Sequence, residues 1–359
     1  MIPERINQLI ALFDEQGIDG LLVTNESNVR YLTSFSGDSS VLLVHKQQIV
    51  FITDKRYEEQ AQNECPEEVE IRLWYKDRRF GFETYQMIID NIQIRDLGFE
   101  ENSMSYASYR QLDENLKNVR LKATSGVVEA LRLIKSNSEI ENLREACRIS
   151  DSALKETVSK IEPGITEKEI AALLDYNLRM EGADDISFET IVLTGKRSSL
   201  LHGKPGDIAI QEGDYLLFDF GALCKGYHAD ISRTFIIGTP NDQQTELYNI
   251  IFKCQQSVVK ALKHNVSVRE INKIVEDSIP KNYEPYFYPG YGHGVGLDIH
   301  EPPFLKDTAD FTFKAGMVLT VEPGIYIPDW GGLRIEDTVL VTENSARLLS
   351  NYPRELTTL

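Results

Sequence analysis

EGDYLLFDFG (residues 212–221) decides the reading of the fold, because AGMVLTVEPG (residues 315–324) aligns with it without a gap. In each segment a glycine, Gly213 or Gly316, stands six residues before an acid, Asp219 or Glu322. The acid ends an apolar, strand-like run, and a second glycine, Gly221 or Gly324, follows two residues later. Each segment is followed by another acid on a further strand-like run: Asp230 in HADISRT and Glu336 in RIEDT. Two related strand pairs facing each other would bring four carboxylates to one centre; the alternative is two unrelated strand–turn units. Asp219 and Glu322 interrupt runs that otherwise favour burial, and a buried carboxylate needs a cation or several donors. Read singly, each could be a turn former, and Asp230 and Glu336 could pair with Arg233 and Arg334 nearby in sequence.

Four of the six histidines fall in the same blocks. His293 sits in GYGHGVG (residues 290–296), where flanking glycines let backbone and ligand come close. His300 follows in IHEPP, and His202 lies ahead of Asp219 in LLHGKPGD. His228, beside Asp230, reads as a surface histidine. Asp219, Asp230, His293, Glu322 and Glu336 therefore read as one metal-binding set of four carboxylates and one imidazole. Four acids exceed the need of one divalent ion and suit two, whose repulsion shared negative charge cancels. The oxygen-rich set suits manganese, with cobalt, iron or zinc also compatible. Two such ions form a hydrolytic clamp.

The bulk properties agree with a soluble enzyme. The 359 residues allow about two domains. A net charge of −18 argues against nucleic acid or an anionic membrane surface as partner. The N-terminal stretch carries Glu4 early and lacks an uninterrupted apolar segment, so it does not read as a secretory signal. No apolar run approaches the ~20 residues of a membrane helix. Cys65, Cys147, Cys224 and Cys254 are scattered without a C-x-x-C pair, which reads as reduced core thiols in a cytoplasmic protein.

The chain changes character near residue 125. Residues 1–125 read as an α/β domain. Its apolar runs at 20–24, 40–44 and 48–53 are bounded by turn residues, a helix stopped by Gly17 precedes them, and a second helix covers 56–64. Residues 126–359 read as α+β, with helices packed on a mostly antiparallel, strongly curved sheet. Capping boxes are predicted at Ser138/Glu141, Thr166/Glu169 and Ser267/Glu270. A further helix is predicted over 244–262, with Leu247, Ile251, Cys254, Val258 and Leu262 on one side.

With these motifs the chain resembles the proline-specific branch of the pita-bread metallopeptidases, aminopeptidase P and prolidase, with methionine aminopeptidase and creatinase as cousins. SEIENLREACRISDSALKE, SFETIVLTG, SLLHG, DFGALCKGYHADISRT, GHGVGLDIHEPP, VEPGIYIP and GGLRIEDTV carry the resemblance in the second domain. TNESNVRYLTSFSGDSSVLLV and FITDKRYEEQA carry it in the first. It implies a creatinase-type N-terminal α/β domain followed by an α+β pita-bread catalytic domain. It implies two divalent ions per subunit held by Asp219, Asp230, His293, Glu322 and Glu336, and from the chemistry of such a clamp Glu322 is the candidate to take the proton of the attacking water while remaining a ligand. His202 and His300 match the substrate-binding and proton-handling histidines, and Arg334 joins them in substrate binding. Small proline-containing peptides are the implied substrates, and a homodimer the implied assembly.

One departure bears on specificity. Many prolidases carry an arginine shortly after the H-E-x-P motif to hold the free carboxylate of a dipeptide. Here the segment is HEPPFLKD, with Phe304 and Leu305 after the prolines and Lys306 as the nearest cation. That favours an Xaa-Pro aminopeptidase over an Xaa-Pro dipeptidase, although Lys306 could still serve the latter. Creatinase lacks the complete ligand set, methionine aminopeptidase usually lacks such an N-terminal domain, and non-catalytic peptide-binding relatives have lost several ligands.

Overall fold

The computed structural model describes residues 2–74, 82–162 and 164–359. The chain divides into two compact units, Met1–Arg132 and Leu133–Leu359.

The first unit is built on a six-stranded mixed sheet. Its strands are β1 (Gly20–Val23), β2 (Ser40–His45), β3 (Ile49–Thr53), β4 (Glu70–Leu73), β5 (Asp96–Glu100) and β6 (Arg120–Thr124), in the order β4-β3-β2-β1-β5-β6. The apolar runs read from sequence are β1, β2 and β3, which pair antiparallel. β4, β5 and β6 join by parallel pairing. β4 (EIRL) and β6 (RLKAT) are only partly covered, so their residues are mixed and their sequence signal is weak. The N-terminal helices, Ile2–Ala11 and Phe13–Gln16, end on Gly17 in the left-handed conformation (φ 63°), and Ile6, Leu9 and Phe13 are buried.

The second unit opens with the helix Asn137–Val158, whose capping box is Ser136/Glu139 rather than the predicted Ser138/Glu141. Both pairs fit the S-x-x-E pattern, and packing decides between them. The Glu139 carboxylate is buried, accepts from the Ser136 N–H at 2.9 Å and meets the Tyr227 hydroxyl at 3.1 Å. Glu141 lies outside and pairs with Arg144. The boxes at Thr166/Glu169 and Ser267/Glu270 form as read, and Asn241/Gln244 opens the helix Asp242–Ala261. Leu247, Ile251, Cys254, Val258 and Leu262 are fully buried in one cluster with strand residues such as Leu319, Val321 and Val339.

The sequence repeat is a structural repeat. Gly213 (φ 86°) and Gly316 (φ 90°) make equivalent left-handed turns into the strands Tyr215–Phe220 and Val318–Val321. Each strand pairs antiparallel with the strand that follows the second acid, Ile231–Ile236 and Asp337–Val341 respectively. All pairings between named strands in this unit are antiparallel. They form several ladders rather than one continuous sheet. The breaks include residues 322–323 and 335–336, where the chain leaves a five-stranded ladder for the hairpin Gly324–Ile327/Gly331–Arg334 and returns.

A buried ion pair ties the C-terminal segment to this framework. Arg233 meets Asp337 at 2.7 Å and also donates to the carbonyls of Tyr352 and Pro353. Asp337 further accepts from Gln255 Nε2 (2.7 Å) and Ser350 Oγ (2.8 Å). Among the described residues, no helix is long and apolar enough to cross a membrane. All four cysteines are free.

Removing one partner of a buried pair leaves an uncompensated charge. Asp337→Ala is therefore expected to lower unfolding stability by about 3–5 kcal/mol in denaturant titration. A loss below about 1 kcal/mol, the range of exposed pairs, would contradict this account of the framework.

Candidate metal centre

The strand breaks place the acids. Asp219 is the fifth residue of the strand Tyr215–Phe220, opposite Ser232. Asp230 stands just before the strand Ile231–Ile236, Glu322 just after Val318–Val321, and Glu336 just before Asp337–Val341. His293 is the middle residue of the short strand Gly292–Gly294. The glycines permit the close approach: a Cβ at Gly221 would overlap the Ala229 carbonyl, and one at Gly292 would overlap that of Thr320.

These elements bring the five predicted residues to the wall of one cavity of about 500 Å³. One ligand atom each from Asp230, His293 and Glu336 lies within 4.8 Å of the others, a spacing one ion can bridge. His293 Nε2 is 3.4 Å from Asp230 Oδ2 and 3.5 Å from Glu322 Oε1. Asp219 Oδ1, Asp230 Oδ1 and Glu336 Oε1 are buried and meet no hydrogen-bond donor. Two of these acids have their other oxygen held: Ser232 Oγ donates to Glu336 Oε2 (2.6 Å), and Arg334 pairs with Asp219 Oδ2. Thr320 Oγ1 donates to Glu322 Oε1 at 3.2 Å while accepting the His293 N–H at 3.0 Å. A carboxylate with one oxygen braced and the other left without a donor is arranged for a cation. The set of hard oxygens with one imidazole fits divalent ions of the manganese type.

Electrostatics give the same picture. Burial first, and then the charges of neighbouring acids, hold the Asp230 and Glu336 carboxyls well above the ordinary carboxylate range. Burial also raises Glu322, opposed by His293 and Arg334. Without a cation this centre retains protons.

Arg334 lines the same cavity. It is buried, and each of its three nitrogens donates to the protein: Nε to Ser232 Oγ (2.8 Å), Nη1 to the Tyr326 hydroxyl (2.7 Å) and Nη2 to Asp219. Arg233 turns to the opposite side and meets Asp337, so the ion pairs of the two arginines go to Asp337 and Asp219 rather than to Asp230. His202 and His300 both line the cavity. The His300 ring stands edge-on to His293 with centroids 4.3 Å apart. Burial, followed by the charges of His293 and His202, lowers its pKa below the usual imidazole value. His228 is half-buried, with Nδ1 2.9 Å from Ser187 Oγ. Thr320, Ser232 and Tyr326 were not singled out from sequence. A hydroxyl two positions from an acid on a strand, as in Thr320/Glu322 and Ser232/Asp230, was the available signal.

Fold and site together define a metal-dependent hydrolase. Residues 141–343 match metallopeptidase family M24, and residues 5–134 match the creatinase/prolidase N-terminal domain. The chain belongs to metallopeptidase family M24 and is a metallopeptidase with a creatinase-type N-terminal domain, working with divalent metal ions. It is similar to the solved Xaa-Pro dipeptidase from Bacillus anthracis, at 40% identity over 100% of both chains with a TM-score of 0.96. The Xaa-Pro dipeptidase of Pyrococcus furiosus is 37% identical over 99% of this chain and 100% of its own length. The solved X-Pro aminopeptidase from Thermotoga maritima is 33% identical, with a TM-score of 0.90 and 99% of each chain covered.

Raised folded-state pKa values have a definite sign. The folded, metal-free chain binds protons that the unfolded chain releases, so its stability falls as pH rises above the ordinary carboxylate range. A bound divalent ion displaces those protons. The gain in melting temperature on adding Mn2+ to chelator-treated protein is expected to be larger near about pH 8 than near about pH 6. An equal or reversed gain would contradict this reading of the acids.

Proposed function

We propose that this chain is an Xaa-Pro dipeptidase, a dinuclear-metal exopeptidase that hydrolyses the bond before proline in dipeptides. The observation that carries the hydrolytic part is the trio of buried, donorless oxygens on Asp219, Asp230 and Glu336 in one cavity wall. We assign the ions to Asp219, Asp230, His293, Glu322 and Glu336. Two divalent ions there would lower the pKa of a water and polarise the scissile carbonyl. Manganese is the proposed native ion, and a cytoplasmic homodimer the proposed state.

The remaining roles follow from the side chains. The nitrogen before which cleavage occurs belongs to the proline ring and has no N–H, so recognition must come from the ring and the peptide termini. Glu322 takes the proton of the attacking water on a carboxylate oxygen and returns it to the proline nitrogen as the C–N bond breaks. His300, its pKa lowered, is neutral near pH 7 and donates an N–H to the oxygen of the carbonyl under attack. His202, on the same cavity wall, orients the peptide. Arg334, on the same cavity wall, braces Asp219 and helps to bind the substrate.

Restriction to dipeptides rests on Lys306, which lines this cavity directly after the strand Glu301–Leu305. A cation there can meet the free carboxylate of the proline. The Bacillus anthracis and Pyrococcus furiosus relatives support this reading at 40% and 37% identity. The second reading is an Xaa-Pro aminopeptidase acting on longer peptides. It is favoured by the missing arginine in HEPPFLKD and by the likeness to the Thermotoga maritima X-Pro aminopeptidase.

Turnover of Gly-Pro and of Arg-Pro-Pro by one preparation separates the readings. Gly-Pro cleaved with Arg-Pro-Pro untouched is the expected result; release of arginine from the tripeptide would establish the aminopeptidase instead. Lys306→Met should raise KM for Gly-Pro about 10-fold or more with kcat little changed. An unchanged KM would remove Lys306 from substrate binding. Glu322→Gln should lower kcat about 10²–10⁴-fold. Retained activity would refute its role in proton transfer.

A further inference from the structure

Lys135 and Glu301 form a buried ion pair that the centre described above does not use. Lys135 Nζ is 2.7 Å from Glu301 Oε1, and the two side chains are 2% and 4% exposed. Lys135 lies just ahead of the helix Asn137–Val158, and its N–H donates to the Gly316 carbonyl at 2.9 Å. It is thereby fastened to the turn that opens the strand leading to Glu322. Glu301 directly follows His300 and sits opposite Gly294, the neighbour of His293, across an irregular antiparallel pairing. The other oxygen of its carboxylate, Oε2, faces the Asp298 N–H at 3.4 Å. The carboxylate also fills the space where a Cβ of Gly296 would stand. The turn 296–300, which ends in His300, is therefore closed around the Glu301 carboxylate.

We propose that the Lys135–Glu301 pair positions His300: Lys135 fixes the Glu301 carboxylate, Glu301 fixes the turn 296–300, and the turn sets the His300 ring against His293. The inference rests on the peptidase reading of His300. Lys135 and Glu301 are absent from the cavity lining, so both are positioning residues rather than catalytic ones. A charged pair is an expensive way to fill a core, since apolar residues of similar volume often stabilise as well or better. A salt link offers direction, because the carboxylate must face both Nζ and the turn's N–H group. Misplacing a reacting group by about 1 Å can cost about 10²-fold in rate.

The test separates positioning from stability. Lys135→Met alone strands a buried carboxylate and is expected to lower the melting temperature. The double variant Lys135→Met/Glu301→Leu removes both charges and should restore it. In the refolded-stable double variant, kcat on Gly-Pro should remain about 10-fold or more below wild type with KM nearly unchanged. Adding His300→Ala to the double variant should cost little more, because the two act through one ring. Diethyl pyrocarbonate labelling of His300, read by mass spectrometry, should be faster in the double variant than in wild type. A double variant with wild-type kcat and wild-type labelling rate would overturn the proposal and leave the pair a matter of folding. Wild-type protein inert on all proline peptides would instead sink the peptidase reading, and the labelling rate would then decide the inference alone.

Discussion

Four carboxylates share one cavity wall with a single braced guanidinium, and the fold holds them in ionised form together only if cations enter. Like charges at a few ångströms in a poorly solvated site repel strongly. Burial is the first cause of the raised pKa at Asp230, Glu322 and Glu336, and neighbouring acids add to it at Asp230 and Glu336. Arg334 neutralises one acid, Asp219, at the edge of the group. One divalent ion would still leave the centre short of positive charge if all four acids are ionised, whereas two would supply it. Each carboxylate oxygen that the protein does not satisfy is thus a statement about what the protein binds.

The antiparallel framework makes that crowding possible. Two turns with left-handed glycines launch two equivalent strand pairs, and the acids fall on or beside the strand ends where ladders break. The period-two geometry of a strand puts helpers on the same side as the acids. Ser232 and Thr320 face the centre and bond Glu336 and Glu322, while Arg233, one position from Ser232, turns away to Asp337. The anionic centre is therefore backed by a buried ion pair on the other side of the same strands. The Lys135–Glu301 pair plays a comparable part for the histidine-bearing turn.

Much of this was legible in the sequence, for physical reasons. An acid inside an apolar run announces its need for a cation, and two such acids at matched offsets from glycines announce a repeat. The helices with apolar stripes, such as 244–262, were legible because a packed face imposes a 3.6-residue period. The partners of Arg233 and Arg334 were not, because proximity in sequence to Asp230 and Glu336 says nothing about which side of a strand a guanidinium takes. The capping serine at 136 rather than 138 was settled by the buried Glu139–Tyr227 contact, which no local pattern encodes. Lys135 and Glu301 meet across 166 positions of chain, and although Glu301 belongs to the H-E-x-P motif, nothing in that motif names Lys135 as its partner. Dipeptide against longer-peptide specificity was obscure for a related reason: in the proposed reading it depends on a single cation, Lys306, whose place in the cavity wall only the fold supplies.

The central claim is a two-ion centre made by these five side chains, and direct metal counting tests it. Chelator-stripped protein dialysed against Mn2+ and analysed by inductively coupled plasma mass spectrometry should hold two ions per chain. Glu336→Gln should lose at least one of them while the helical circular dichroism is retained. A wild-type chain that binds no Mn2+, Co2+ or Zn2+, or a Glu336→Gln chain that still binds two ions, would contradict the account.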